Sequence, residues 1–322
     1  MTLVTVEDVR KASNRLAPYV VHTPLLRAPR LSTELDLRVL VKPENLQRTG
    51  SFKVRGALNT LLSWQESGSL PRGVVCYSAG NHAAAVAYAG QSLGVETVIA
   101  MPHGAVQSKI DNVHRFGGEI VETDDLIGTC NSLSAERGFP MLLPFDMPEV
   151  IAGQGTVGLE ILADAVATGT AVDAVLVPVG GGGLISGIGA VVKSLSPRTL
   201  VIGVESEASN ALGLALNAGE VVDLPARLPT IADGLAAPRA GGHTLAHAQA
   251  YVNCMVEVSE SAITRAWRDM VDATKLVVEP SSAVGLAALR EISLADMGLR
   301  AGMSVVLVAS GGNVDFSRFA DF

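Results

Sequence analysis

Short β-branched runs alternate with longer stretches of helical spacing along almost the whole chain of 322 residues. The runs at residues 39–41, 73–77, 97–101, 119–122, 174–179, 200–204 and 304–308 are rich in valine and isoleucine and too short for buried helices, so they read as strands. Between them, residues 54–62, 83–93, 107–116, 157–167, 184–195, 259–273 and 283–291 space their apolar side chains as helices do. Strand, helix and strand in succession is the mark of parallel pairing, because parallel neighbours need a crossover long enough to hold a helix. The chain is therefore expected to be α/β, with open, twisted, mainly parallel sheets covered by helices. Its length fits one large unit or two domains, and composition marks no boundary. Residues 224–242, with Pro225, Pro229 and Pro238, form the longest irregular segment and are expected to border a site.

Charge and cysteine usage narrow the classes of partner. Against 24 basic residues stand 32 acidic ones, net −8, with no cluster of Lys or Arg, so no nucleic-acid partner is expected. Cys76, Cys130 and Cys254 make no CxxC or zinc spacing, which fits a reducing compartment, the cytoplasm. The N-terminal residues carry acids early and lack the basic-then-apolar order of a signal peptide. Residues 174–192 are uncharged for long enough to cross a bilayer, but Pro178 and four glycines divide them into a strand and a helix. No membrane partner is expected.

Four constellations carry chemistry. In Gly50-Ser51-Phe52-Lys53-Val54-Arg55-Gly56, Ser51 is placed as a helix N-cap and Lys53 in the first turn. There the helix dipole and Arg55 disfavour a second positive charge and favour a nucleophilic amine. The run Gly180-Gly181-Gly182-Gly183 follows the strand 174–179 and opens a helix at Leu184. Backbone N–H groups stripped of side chains make a cradle for one phosphate, and neither the dinucleotide nor the P-loop glycine spacing is present. Ser78-Ala79-Gly80-Asn81-His82, at another strand end, offers N–H groups, a hydroxyl and an amide to a carboxylate. Ser310-Gly311-Gly312-Asn313 places a hydroxyl where it can face a ring nitrogen. His243 and His247 lack the glutamate of a zinc hydrolase, and no G-x-S-x-G is present. Lysine, phosphate cradle, carboxylate turn and ring-facing serine together describe a site for pyridoxal 5′-phosphate and an amino acid.

In the order and spacing of its motifs the chain resembles the fold type II pyridoxal-phosphate enzymes, in the branch of the threonine and serine dehydratases and serine racemase. The likeness runs through His22-Thr23-Pro24-Leu25, residues 42–57, 78–82 and 150–156, the glycine run, Thr230-Ile231-Ala232-Asp233-Gly234, Glu279-Pro280 and residues 310–313. It implies a large domain of residues 1–46 plus 148–322 and a small mobile domain of residues 47–147. It also implies that Lys53 binds the cofactor as an imine and later takes the substrate's α-proton. Phe52, Asn81 at the 3′-oxygen and Gly234 would line the cofactor, Gly180, Gly181, Gly182, Gly183 and Leu184 would hold its phosphate, and Ser310 would face N1. The substrate carboxylate would lie on Ser78, Ala79, Gly80, Asn81 and His82.

The activity implied is elimination of water from an L-β-hydroxy amino acid of the threonine or serine type, giving a 2-oxo acid and ammonia in a homo-oligomer, dimer or tetramer. The alternatives are 3-hydroxyaspartate as substrate, serine racemisation, and an amino-acid-binding protein without catalysis. Departures from the family pattern favour the dehydratase. Ala79 stands where racemases carry the serine that protonates the face opposite the lysine. The racemases' metal site would pair Glu205 with an acid at position 211, which is Ala211 here, so no metal is expected. Ser282 stands where dehydratases carry glycine, beside the expected substrate pocket. No stretch is left for a C-terminal regulatory domain, so feedback of the biosynthetic kind is not expected.

Overall fold

The computed structural model describes residues 2–78, 80–105, 107–225 and 228–315. Its strands are β1 (Leu26–Arg27), β2 (Arg38–Pro43), β3 (Gly73–Tyr77), β4 (Glu96–Met101), β5 (Glu119–Glu122), β6 (Ala174–Pro178), β7 (Leu200–Ser206), β8 (Cys254–Val258) and β9 (Ser304–Ala309). The helices are α1 (Val6–Leu16), α2 (Pro29–Leu35), α3 (Lys53–Glu66), α4 (Asn81–Leu93), α5 (Gln107–Arg115), α6 (Leu126–Arg137), α7 (Pro148–Ala167), α8 (Gly183–Leu195), α9 (Ala211–Ala218), α10 (Gly242–Tyr251), α11 (Glu260–Thr274) and α12 (Val284–Glu291). Two sheets result, one of six strands in the order β1-β2-β9-β6-β7-β8 and one of three in the order β3-β4-β5. Every pairing is parallel except β1 with β2.

All seven expected strands and all seven expected helices are present, β3 and β5 with the expected bounds and the others with shifted ends. Among the described residues there are two further strands and five further helices, of which α1 has a readable pattern, a Thr5–Asp8 capping box with Val9, Ala12 and Leu16 buried on one face. β1 is only two residues long, and the edge strand β8 is mostly half-buried, with no clean alternation to read. The first half of α7 is hidden for a different reason, since Gly153, Gly155 and Gly158 break its apolar spacing. Those glycines let two backbones touch. A Cβ on Gly155 would lie 2.9 Å from the Gly187 oxygen, and one on Gly187 would run into Ile151 and Gly155. This α7–α8 contact fixes α8, whose first residue closes the glycine run. By length and composition α7 is apolar enough to cross a membrane, yet most of it is buried against α1, α3 and α8.

Trp267, Met270 and Val284 lead the core on one face of the large sheet, and Ile185, Ile188 and Val192 lead it on the other. Helices α3 and α4 pack over the small sheet through Leu58, Leu61, Ala85 and Val86. Because the central strands run parallel, their C-terminal ends share one edge, and the segments after β2, β6 and β9 meet there.

Candidate active site

Lys53 is the first residue of α3, and the chain entering it is pinned to the turn after β9. Ser51 bridges Gly311, the Phe52 N–H donates to the Ser310 carbonyl at 3.0 Å, and the Gly312 N–H donates to the Gly50 carbonyl at 2.8 Å. Lys53 Nζ donates to the Pro144 carbonyl at 2.8 Å. Burial pushes this amine down to about 8, and the carboxylate of Glu279 pulls the other way. Two expectations need correction. Ser51 does not cap α3, because Phe52 holds that position without a side-chain bond, and the buried Ser51 hydroxyl has no partner. Nor does Arg55 act on the amine, because its guanidinium is neutralised elsewhere.

That guanidinium is fully buried in an electroneutral quartet. It donates to Glu44 at 2.7 and 2.8 Å and to Glu160 at 2.7 and 2.9 Å, while Lys42 Nζ reaches Glu160 at 2.6 Å and the Thr23 carbonyl. Two cations and two carboxylates satisfy one another where desolvation would penalise any one alone. The quartet ties α3, α7 and the end of β2 together one turn from Lys53, so the amine projects from a fixed element.

After β6 the four glycines pass through space that side chains would fill. A Cβ on Gly180 would sit 3.0 Å from Leu235 Cα, and one on Gly181 would run into the ring of Phe145. Gly182 takes φ +91°, and a Cβ on Gly183 would lie 3.0 Å from Phe145 Cβ. No side chain caps α8, so its first N–H groups are left to an anion, as a phosphate cradle requires. Leu184, the second residue of α8, is buried.

The turn after β3 is held from within and from across the site. Ser78 Oγ accepts the Gly80 N–H at 3.0 Å. Asn81 opens α4, donating to both oxygens of Glu279 at 2.8 and 3.1 Å and accepting from Asn313 at 2.8 Å. Burial raises the Glu279 carboxyl to about 7. Burial, helped by the nearby Lys53 charge, drives His82 down to about 3, so the neutral ring donates Nε2–H to the Leu142 carbonyl at 2.9 Å. Ala79 lies outside the described residues. Ser310 is buried beside Ser282, and the Gly234 N–H donates to Ser281 Oγ at 3.0 Å. Glu205, also buried, accepts the N–H groups of Leu212 and Gly213 at 2.9 and 3.0 Å. Among the described residues no three His, Cys, Asp or Glu side chains gather as metal ligands.

Lys53, Asn81, the glycine run, Gly234 and Ser310 are thus joined by direct contacts. Pro144 accepts from Lys53, and its neighbour Phe145 covers the glycines. Leu235, next to Gly234, touches Gly180. Ser281 and Ser282 connect Gly234 to Ser310. Residue patterns alone give no role to Phe145 or the Pro144 carbonyl, since neither stands in a motif. Glu279 stands in one without a task, and its pairing with Asn81 supplies it. An orphaned buried hydroxyl at Ser51, an amine pushed toward neutrality by burial and a cradle free of side chains suit the aldehyde and phosphate of pyridoxal phosphate.

The family model described as pyridoxal-phosphate dependent enzyme matches residues 16–311. The chain is 40% identical over 298 residues to the biosynthetic L-threonine dehydratase of Salmonella typhimurium, covering 91% of this chain and 56% of that protein. It is 37% identical over 326 residues to an L-threo-3-hydroxyaspartate ammonia-lyase of Pseudomonas sp, covering 99% and 98%. The crystal structure of a threonine deaminase from T.th. superposes with a TM-score of 0.90 at 42% identity, covering 97% of this chain and 99% of that one. The chain spans little more than half the length of the Salmonella relative.

Proposed function

Because the chain belongs to the pyridoxal-phosphate-dependent enzymes, we propose that it eliminates water from an L-β-hydroxy amino acid of the threonine or serine type, and that the enamine product takes water back as it hydrolyses to a 2-oxo acid and ammonia. The observation that carries this reading is Lys53, a half-buried amine at the start of α3 whose pKa is brought down to about 8. Bound pyridoxal phosphate supplies an electron-withdrawing ring that acidifies the α-hydrogen of an attached amino acid. Lys53 anchors the cofactor and, once released, accepts that proton, since an amine titrating near working pH is a competent base. The N–H groups of Gly180–Gly183 and Leu184 hold the phosphate, and Phe52 and Gly234 line the ring.

Ser310 offers N1 a neutral hydroxyl instead of a carboxylate, which leaves the ring uncharged and favours prompt loss of the β-hydroxyl. The turn Ser78, Ala79, Gly80, Asn81 and His82 receives the substrate carboxylate. Residues 47–147 act as the small domain and close over residues 1–46 and 148–322, excluding water from the reacting carbons. We place the enzyme in the cytoplasm as a homo-oligomer.

A 3-hydroxyaspartate substrate is the second reading, favoured by the end-to-end match to the Pseudomonas ammonia-lyase. Release of 2-oxo acid from threonine, serine and 3-hydroxyaspartate, measured on purified protein loaded with pyridoxal phosphate, separates the two. No product from any of them would overturn both. Chiral chromatography tests the racemase alternative, because a methyl group at Ala79 cannot deliver a proton and no D-serine should accumulate.

A further inference from the structure

Lys109 on α5 and Asp233 in the irregular segment before α10 are 124 residues apart in sequence, yet Lys109 Nζ meets Asp233 Oδ2 at 2.5 Å. Lys109 stands one helical turn before Val113, which is fully buried in the core of the three-stranded sheet. Residues four apart share a helix face, so the Lys109 stem follows the inner face of α5 and its side chain keeps only 21% exposure. Asp233 starts a short 3-10 turn, Asp233–Leu235. The next residue, Gly234, is fastened to Ser281, and Leu235 is the wall against which Gly180 packs. The ion pair therefore ends on the wall of the phosphate cradle. A second tie joins the same two parts of the molecule, where Asn81 bonds Glu279 and Asn313.

We propose that Lys109 and Asp233 form a clasp that holds the three-stranded-sheet unit closed over the amino-acid substrate, making Lys109 a positioning residue for the reaction. The assignment rests on the amino-acid reading of the turn at residues 78–82. Neither side chain needs to touch substrate. The pair acts by biasing the closed arrangement, in which the turn carried by α4 faces the cradle carried by α8. A partly exposed pair shifts such an equilibrium by only a few-fold, and that sets the size of the effect.

The test uses Lys109→Met, Asp233→Asn and the exchanged double variant Lys109→Asp/Asp233→Lys, each loaded with pyridoxal phosphate. Either single variant should raise KM for the amino acid about fivefold with kcat within twofold of wild type, and the exchanged pair should recover most of the loss. Amide hydrogen exchange, followed without substrate, should be several-fold faster through α4 and α5 in the single variants and return toward wild type in the exchanged pair. Single variants with KM and exchange rates unchanged, or an exchanged pair no better than its parents, would overturn the clasp. If wild-type protein turns over no hydroxyamino acid, the proposed function fails, and the exchange measurement still judges the clasp.

Discussion

Ser282 Oγ lies 3.3 Å from Ser310 Oγ, and its other partners decide which hydroxyl donates. Ser282 donates to the Gly311 carbonyl at 2.7 Å and accepts the Gly311 N–H at 2.9 Å. With its only proton spent, it can meet Ser310 only as an acceptor. Ser310 is thereby the donor of the pair, and its single proton would have to turn away from Ser282 to reach an unprotonated ring nitrogen. Ser282→Ala leaves the Gly311 N–H in a buried turn without a partner, a cost of about 1–3 kcal/mol, while the Gly311 carbonyl keeps the Glu279 N–H at 3.0 Å. Urea denaturation should show that loss, and titration with pyridoxal phosphate should show weaker binding. A variant as stable as wild type would show that the turn relaxes around the lost hydroxyl.

Lys53 carries a conflict between stability and chemistry. Its amine titrates near 8 in the fold against an ordinary 10.5, so below pH 8 the folded state bears the full penalty of burying the charge. The penalty is relieved as pH rises from 8 to 10.5, where the unfolded chain binds more protons than the folded one. Lys53→Met should abolish 2-oxo acid release yet raise the stability of cofactor-free protein at pH 7 by roughly 1–3 kcal/mol. The gain should shrink by pH 10. Equal stability of the two proteins at pH 7 would contradict the buried-amine account.

Glu279 should make the cofactor-free protein less stable as pH rises through the acidic range. Its carboxyl titrates near 7 when folded and near 4.5 when unfolded, so between those values the folded state binds more protons. Its contribution is therefore full below 4.5 and is lost as pH climbs through 7, a change of roughly 3 kcal/mol. Glu205, raised to about 8 by burial, slopes the same way, so the comparison must isolate one group. Glu279→Gln keeps one oxygen for the Asn81 amide and cannot titrate. Its denaturation midpoint should fall less than that of wild type between pH 5 and pH 8, and parallel curves would locate the effect elsewhere.

The sequence exposes the strand ends because parallel strands are short apolar runs with turn residues after them, and four of those ends carry the motifs that the fold brings together. Lys53 is legible, but the origin of its depressed pKa is not. Arg55 is two residues away in sequence, while the two carboxylates that neutralise it, Glu44 and Glu160, approach from the segment after β2 and from α7. Ser51 has the composition of a cap, yet its pairing with Gly311 holds its backbone in a bridge and moves the cap to Phe52. Pairings such as Asn81 with Glu279 or Lys109 with Asp233 depend on how the two sheets sit together, which no local pattern encodes. Phe145 is the plainest case, because a lone aromatic between two prolines reads as loop until the glycines it covers are in view.

Gly181 and Phe145 offer a test by complementation. Gly181 lacks a side chain because the Phe145 ring occupies the space a Cβ would need, and a methyl group there must displace either the ring or the glycine backbone. The phenyl ring is anchored by the chain at Pro144, whose carbonyl receives Lys53, so the backbone of the cradle is the part expected to yield. Gly181→Ala should therefore weaken binding of pyridoxal phosphate tenfold or more while leaving the large cores intact, since both faces of the six-stranded sheet are packed by other residues. Phe145→Ala removes the obstruction. The double variant Gly181→Ala/Phe145→Ala should recover cofactor binding relative to Gly181→Ala alone, although Phe145→Ala by itself gives up apolar contact and should cost stability. Cofactor titration by absorbance and thermal denaturation of all four proteins decide the matter. A double variant that binds no better than Gly181→Ala would mean that the glycine is required for the backbone's approach to the phosphate and not for the fit of Phe145.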